Sequence, residues 1–354
     1  MKKIGVITIN DFNNYGNRLQ CYAVQHYLEN MGNEVENIYN EAAGKNTVIN
    51  LGKILIRDLR NFGKRKTIAA RKQSFYEFNK HIKFSDYCII NGRYDKDLND
   101  KYDFFVTGSD QVWNPYDSGR SKIDFLSFAS DEKKISFSAS IGTAKLPDYA
   151  AEKYKEYLKN YKCISVREDS AKRIVEDLTG RKDVEVLVDP TMLLTAEDWE
   201  KVSQKPNYNY KPKYILSYFL GGSKEYEDII RTIAQKYSCE IIDIYDKNSI
   251  FYSCGPQHFL DLEKNAFLVC TDSFHSSVFA FLFNTPFIVF DRNNTRINMN
   301  SRIETFLSDF GLRKNRYDAD RNLDEYLETD YSEGYKILEQ KREKAKKFLT
   351  KAFS

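Results

Sequence analysis

Ala266-Phe267-Leu268-Val269-Cys270-Thr271-Asp272-Ser273-Phe274-His275-Ser276-Ser277-Val278-Phe279-Ala280-Phe281-Leu282-Phe283 is the stretch that decides the fold. Residues 266–271 form a short apolar run, the pattern of a buried strand. Residues 278–283 (VFAFLF) are apolar on every side, which suits a buried helix. Asp272 or Ser273 can cap that helix, because a short side-chain oxygen accepts one of its orphan backbone N–H groups. Asn284 and Pro286 end it, and residues 285–290 read as the next strand. His275 then stands in the first turn of a helix, just past the carboxyl end of a strand. Ligands bind at that edge in open α/β sheets, and free N–H groups with the helix dipole make it an anion site. A histidine there is a candidate acid or base; the other reading is one that only caps or packs.

Working outward, the second half alternates strands with helices. Cys163–Val166 reads as a strand with Arg167 at its carboxyl end, followed by Glu168, Asp169 and a helix at 171–178. Residues 184–188 end at Asp189-Pro190-Thr191, and 214–220 end at Gly221-Gly222-Ser223. Arg167 and His275 are expected at carboxyl ends of strands in one parallel sheet, converging on one cleft. The planar fork of Arg167 suits carboxylate or phosphate, while an ion pair with Glu168 or Asp169 is the alternative.

The first half opens with a strand at 4–9, a polar loop Asn10-Asp11-Phe12-Asn13-Asn14-Tyr15-Gly16-Asn17, a helix at 18–30 and a strand at 34–39. This is the β-loop-α-β start of a doubly wound domain, without the G-x-G-x-x-G of a dinucleotide site. Residues 103–107 form a strand ending in Gly108-Ser109-Asp110-Gln111-Val112-Trp113-Asn114, and 134–140 another ending at Ile141-Gly142-Thr143. These loops share one edge of the first sheet. The expected division is a first domain at 1–150, a second at 151–330 and a charged C-terminal helix at 331–354.

The chain has 354 residues, 30% charged and 42% hydrophobic, as expected of a two-domain globular protein. A net charge of +3 gives no argument for nucleic acid. Residues 41–85 form a basic excursion with interspersed apolar residues; ten Lys and Arg between Lys53 and Lys83 face only Asp58 and Glu77. Such a segment is either a solvated helical excursion or a surface for an anionic membrane or lipid-linked substrate. The six cysteines form no C-x-x-C pair and read as reduced thiols. The first strand is too short for a signal peptide or membrane span, so a cytoplasmic protein is expected, with peripheral contact at the inner membrane face as the basic excursion's further expectation. No metal-ligand spacing is present in the sequence, and no cofactor is expected.

Seven motifs in order carry a family resemblance. They are Asn14-Tyr15-Gly16-Asn17 with Leu19-Gln20; Gly108 to Asn114; Ser138-Ala139-Ser140-Ile141-Gly142; Ser165 to Ser170; Val188-Asp189-Pro190-Thr191; Gly255-Pro256 with Phe259-Leu260; and Thr271 to His275. The chain resembles the polysaccharide pyruvyl transferase family over roughly residues 4–300. The resemblance implies an α/β fold of two Rossmann-like domains facing a cleft, similar to the GT-B glycosyltransferases. It implies transfer of a pyruvyl group from phosphoenolpyruvate, as co-substrate, onto a sugar of a polysaccharide or lipid-linked precursor.

Under that resemblance His275 matches the catalytic histidine and Arg167 a donor-binding arginine. Some members carry a second donor arginine two positions before the histidine; here that position is Ser273. Either another cation holds the donor or the donor differs. The amides and side chains of Ser273, Phe274 and Ser276 are expected at the donor. Asn14, Tyr15, Gly16, Asn17, Ser109, Asp110 and Trp113 are expected at the acceptor, Trp113 as a stacking platform or as core. Asp189 and Asp272 are expected as supports, Asp272 orienting the ring or capping the helix. A GT-B-like glycosyltransferase using a nucleotide sugar and a non-catalytic glycan-binding relative are the rival readings.

Overall fold

The structure is a computed structural model that describes residues 1–41, 64–117, 119–292 and 301–354. In chain order its strands and main helices are β1 (Lys3–Ile7), α1 (Tyr15–Asn30), β2 (Glu34–Glu41), α2 (Arg65–Asn79), β3 (Phe84–Ile90), β4 (Phe104–Thr107), β5 (Lys134–Ala139), α3 (Asp148–Leu158), β6 (Cys163–Val166), α4 (Asp169–Thr179) and β7 (Glu185–Val186). There follow α5 (Ala196–Glu200), β8 (Tyr214–Tyr218), α6 (Lys224–Tyr237), β9 (Glu240–Asp243), α7 (Pro256–Asn265), β10 (Leu268–Thr271), α8 (Phe274–Leu282), β11 (Phe287–Val289), α9 (Ser301–Asp309), α10 (Asp324–Leu327) and α11 (Ser332–Ala352).

Two parallel sheets result. The first has seven strands in the order β3-β2-β1-β4-β5-β6-β7, the second four in the order β11-β10-β8-β9. Central strands such as Phe104–Thr107, Tyr214–Tyr218 and Leu268–Thr271 are buried at every position, since helices cover both faces of a parallel sheet. The strand order reverses between β1 and β4 in the first sheet and between β8 and β10 in the second. Crevices open at such switch points, beyond the carboxyl ends of the strands. Here they are flanked by the loops after Ile7 and Thr107, and by those after Tyr218 and Thr271.

The first sheet extends past the boundary expected near residue 150. Cys163–Val166 pairs with β5, and Glu185–Val186 pairs with β6, so the first sheet runs to Val186. An alternating strand–helix pattern is the same in either domain, and only the ladder shows which sheet a strand joins. Arg167 therefore belongs to the first lobe and His275 to the second, rather than to one sheet.

The lobes are joined by shared core. Tyr15 of α1 stacks on Phe259 of α7 at 4.8 Å, and Tyr22 packs against Trp199 at 5.6 Å. Such aromatic pairs contribute about 0.5–1.5 kcal/mol each beyond their burial. The C-terminal helix α11 then crosses back to the first lobe. Arg342 donates to the carbonyls of Met192 and Leu194 at 2.8 Å, Lys344 to that of Val186 at 3.1 Å, and Phe353 packs on Phe104.

The basic excursion is not uniformly solvated. Arg71, Phe75 and Phe78 of α2 are buried, while residues 42–63 lie outside the described residues. Arg71 donates to Asn13 Oδ1 (2.6 Å) and Tyr15 Oη (2.5 Å) of the first lobe and to the Tyr252 carbonyl (3.0 Å) of the second. Its guanidinium lies over the rings of Tyr15, Phe75 and Tyr252. All six cysteines are free.

Candidate functional site

The helix α8 is buried at all nine positions, as its apolar sequence requires. Ser273 is its N-cap, accepting from the Ser276 amide at 3.5 Å, and Asn284 (φ 57°) takes the left-handed conformation that follows it. The amides of Phe274 and His275 are the first two of the helix, which no helical carbonyl can serve. Asp272 does neither of the things expected of it. Its carboxylate accepts from the amides of Leu220 and Gly221 (2.7 and 2.8 Å), tying together the two loops of the second switch point. Arg292 donates to the Asp272 carbonyl at 3.0 Å, and its Nε lies 3.4 Å from Oδ2.

Tyr15, Gly16 and Asn17 lie in the first turn of α1 rather than in a loop, with Asn14 as the N-cap. This presents Gly16 to the second lobe at a spacing only glycine allows: an added Cβ would fall 2.1 Å from His275 Nδ1. Asn17 Nδ2 donates to Asp110 Oδ2 at 3.1 Å. Asp110 has a left-handed backbone (φ 62°), and the Gln111 amide donates to its Oδ1 at 2.9 Å; Asp tolerates this conformation through such local bonding.

Arg167 and His275 meet at one buried carboxylate, Asp189. Arg167 Nη1 lies 2.5 Å from Asp189 Oδ2, and His275 Nε2 lies 3.7 Å from the same oxygen, an ion-pair rather than a hydrogen-bond distance. Asp189 Oδ1 accepts from the Thr191 amide at 3.0 Å and hydroxyl at 2.8 Å. Burial alone would raise this carboxyl, but His275, Arg167 and the Thr191 amide hold it well below the usual carboxylate range. Burial would likewise lower Arg167, and Asp189, Glu168 and Asp110 together raise it, so its charge is fixed. Arg167 Nη2, His275 Nε2 and Glu168 Oε2 are among the buried polar atoms without a hydrogen bond to the described residues. The first lies 3.9 Å from Asp110 Oδ1.

A cleft of about 240 Å³ opens between the lobes at this point. Asn14, Asn17, Asp110 and Gln111 line it from the first lobe, and Ser273, Phe274, His275, Arg292 and Arg302 from the second. Arg167 faces an adjoining hollow of about 40 Å³, and Phe274 and Arg302 line both spaces. Arg302, in the first turn of α9, was not indicated by any sequence pattern. Burial and the neighbouring Arg167 push it down to about 10.

Several expected contacts are not brought to the cleft. Trp113 is fully buried, stacked on Phe125 and donating to the Asp124 carbonyl at 3.1 Å, so it is core and offers no face to a sugar. Tyr15 is equally buried, its hydroxyl on the Cys254 carbonyl. Ser109 is enclosed; its hydroxyl donates to the Ser138 carbonyl at 2.9 Å and lies 3.4 Å from Asp189 Oδ2. Ser276 is enclosed as well, its hydroxyl 2.5 Å from Glu263 Oε1. His258 is half-buried and accepts the Gly255 amide through Nδ1 at 3.1 Å. Among the described residues there is no group of three or more His, Cys, Asp or Glu able to hold a metal, and no helix long and apolar enough to cross a membrane.

Two Rossmann-like lobes with facing switch points define a GT-B-like architecture. The chain is similar in structure to a putative UDP-N-acetylglucosamine 2-epimerase from Listeria monocytogenes (TM-score 0.51, 12% identity, 95% of this chain and 94% of that one). It is similar also to the UDP-GlcNAc 2-epimerases of Methanocaldococcus jannaschii (0.50, 15%, 95% and 92%) and Neisseria meningitidis (0.50, 11%, 99% and 100%). At these identities the likeness is one of fold. No curated protein matches the sequence. The family model for polysaccharide pyruvyl transferase matches residues 14–294, and the chain belongs to that family. It is a transferase.

Proposed function

We propose that this transferase moves a pyruvyl group from phosphoenolpyruvate onto two hydroxyls of a sugar in a saccharide acceptor. The observation that carries the reading is the pair of orphaned buried atoms, Arg167 Nη2 and His275 Nε2, beside one carboxylate at an inter-lobe cleft. Buried polar groups are otherwise almost always paired, so these suit a polar ligand. A compact polyanion meets guanidinium forks and the first amides of α8 together.

In the reaction a sugar hydroxyl adds to C2 of the donor while the double-bond electron pair takes a proton at C3, forming the methyl group. A second hydroxyl then bonds C2 as the bond from C2 to the phosphate oxygen breaks, and its proton leaves with phosphate. One donor and two hydroxyls give one cyclic ketal and inorganic phosphate. His275 is the group that delivers the proton at C3, and Asp189 orients its ring. Asn14, Asn17, Asp110 and Gln111 supply the donors and acceptors for sugar hydroxyls. Exposed Arg65, Lys66 and Lys72 of α2 suit a lipid-linked acceptor at an anionic membrane; vesicle binding that survives their neutralisation removes that part.

The test is incubation with phosphoenolpyruvate and candidate glycans, following phosphate release and the glycan's gain in mass. His275→Gln should abolish both with an unchanged melting curve. Full turnover in that variant removes the proton role. Release of UDP or CMP from a nucleotide sugar favours glycosyl transfer, and saccharide binding without turnover favours a glycan-binding protein.

A further inference from the structure

We infer that Arg302 supplies the second cation for the anionic donor, standing in for the arginine that Ser273 replaces; the inference rests on the donor reading above. Ser273 caps α8 and lines the cleft, but carries no charge. Three arginines lie around it. Arg292 is occupied by Asp272, and Arg167 by Asp189 and Glu168. Arg302 is held differently. With the Gln111 amide turned so that its oxygen faces the cleft, Gln111 Oε1 accepts from Arg302 Nη2 at 2.8 Å and Nη1 at 3.2 Å. Among the described residues Arg302 makes no ion pair; the Phe274 ring lies 5.9 Å from the guanidinium carbon, the charges of Arg167 and Arg292 oppose it, and the carboxylates of Asp110 and Glu168 act on it without pairing.

A cation taken out of water, beside a like charge and against a neutral amide, is destabilising unless an anion joins it. The lowered Arg302 reflects that imbalance. The Arg167 guanidinium carbon lies 5.1 Å from the same Phe274 ring, so two forks flank the residue that precedes His275. A donor carrying both phosphate and carboxylate offers one anionic group to each fork. Arg302 lies beyond residues 14–294, the segment that the family model matches.

Calorimetric titration of wild type, Arg302→Gln and Arg302→Lys with phosphoenolpyruvate, and separately with inorganic phosphate, tests the assignment. Arg302→Gln should bind both anions about 10- to 100-fold more weakly, as loss of a charge-assisted bond implies, with Arg302→Lys between. Equal affinity in wild type and Arg302→Gln overturns it. Should Arg302→Gln not fold, Arg302→Lys decides, because an unchanged affinity there removes the fork's role. Wild type that binds phosphate but not phosphoenolpyruvate, with phosphate binding lost in Arg302→Gln, overturns the donor reading and keeps the Arg302 site. Wild type that binds neither anion overturns both.

Discussion

Gly16 of the first lobe lies against the imidazole of His275 of the second, with the place of its missing Cβ only 2.1 Å from Nδ1. The ring is thus positioned by backbone from one side and by Asp189 from the other.

Gly16→Ala should push the ring off Asp189. A displacement near 1 Å lowers turnover about 100-fold. The added methyl should lower stability by about 1–3 kcal/mol through overpacking. Steady-state phosphate release and urea melts measure the two separately, and unchanged turnover would show that the ring is not held by this contact.

Asp189→Asn takes from the buried Arg167 charge its nearest partner and leaves only the longer contacts to Glu168 and Asp110. The expected loss is about 3–5 kcal/mol at neutral pH. The Asp189 carboxyl is depressed in the folded protein, so its contribution is whole above about pH 5, begins to fade as the unfolded carboxyl takes its proton near 3.9, and goes on being lost as the pH falls toward the folded value. The stability difference between wild type and Asp189→Asn should therefore narrow between about pH 5 and pH 3. A constant difference would contradict the assignment.

Glu263 gives the opposite sign. Burial raises this carboxyl well above the ordinary range, against a smaller lowering by its bond to Ser276. Above about pH 4.3 the unfolded chain ionises while the folded carboxyl keeps its proton, so stability falls as the pH rises toward the folded value. Glu263→Gln should remove that slope, and its stability relative to wild type should improve from pH 5 to pH 8. Parallel profiles would show that the group is ionised in the fold.

Arg71→Ala removes bonds to both lobes and leaves the Tyr252 and Cys254 carbonyls buried with one donor fewer. A loss of about 3 kcal/mol or more is expected, larger than for any exposed lysine of α2. Denaturant midpoints compare them; equal small effects would return the segment to a solvated role.

The strand, cap, helix and strand around His275 were legible because each follows from local chemistry: an apolar run, a serine cap, a fully apolar helix, and Asn284 with Pro286 to stop it. The seven ordered motifs likewise identified the family. The membership of β6 in the first sheet was not legible, since register between parallel strands is set by tertiary pairing. Trp113, Tyr15 and Ser109 sit in motifs that look like site loops, yet turns tuck them inward; polarity of a segment says little about the direction of one side chain. Arg71 was hidden in a run of basic residues, and Arg302 had no motif to mark it. Both are recognisable only by what surrounds them.

The decisive measurement is a crystal structure with an unreactive phosphoenolpyruvate analogue. The analogue is expected in the inter-lobe cleft, with one anionic group within hydrogen-bond reach of Arg167 Nη2, the other at Arg302, and its methylene carbon facing His275 Nε2. An analogue bound elsewhere, or separated from His275 and Arg167 by the Phe274 ring, would contradict that placement.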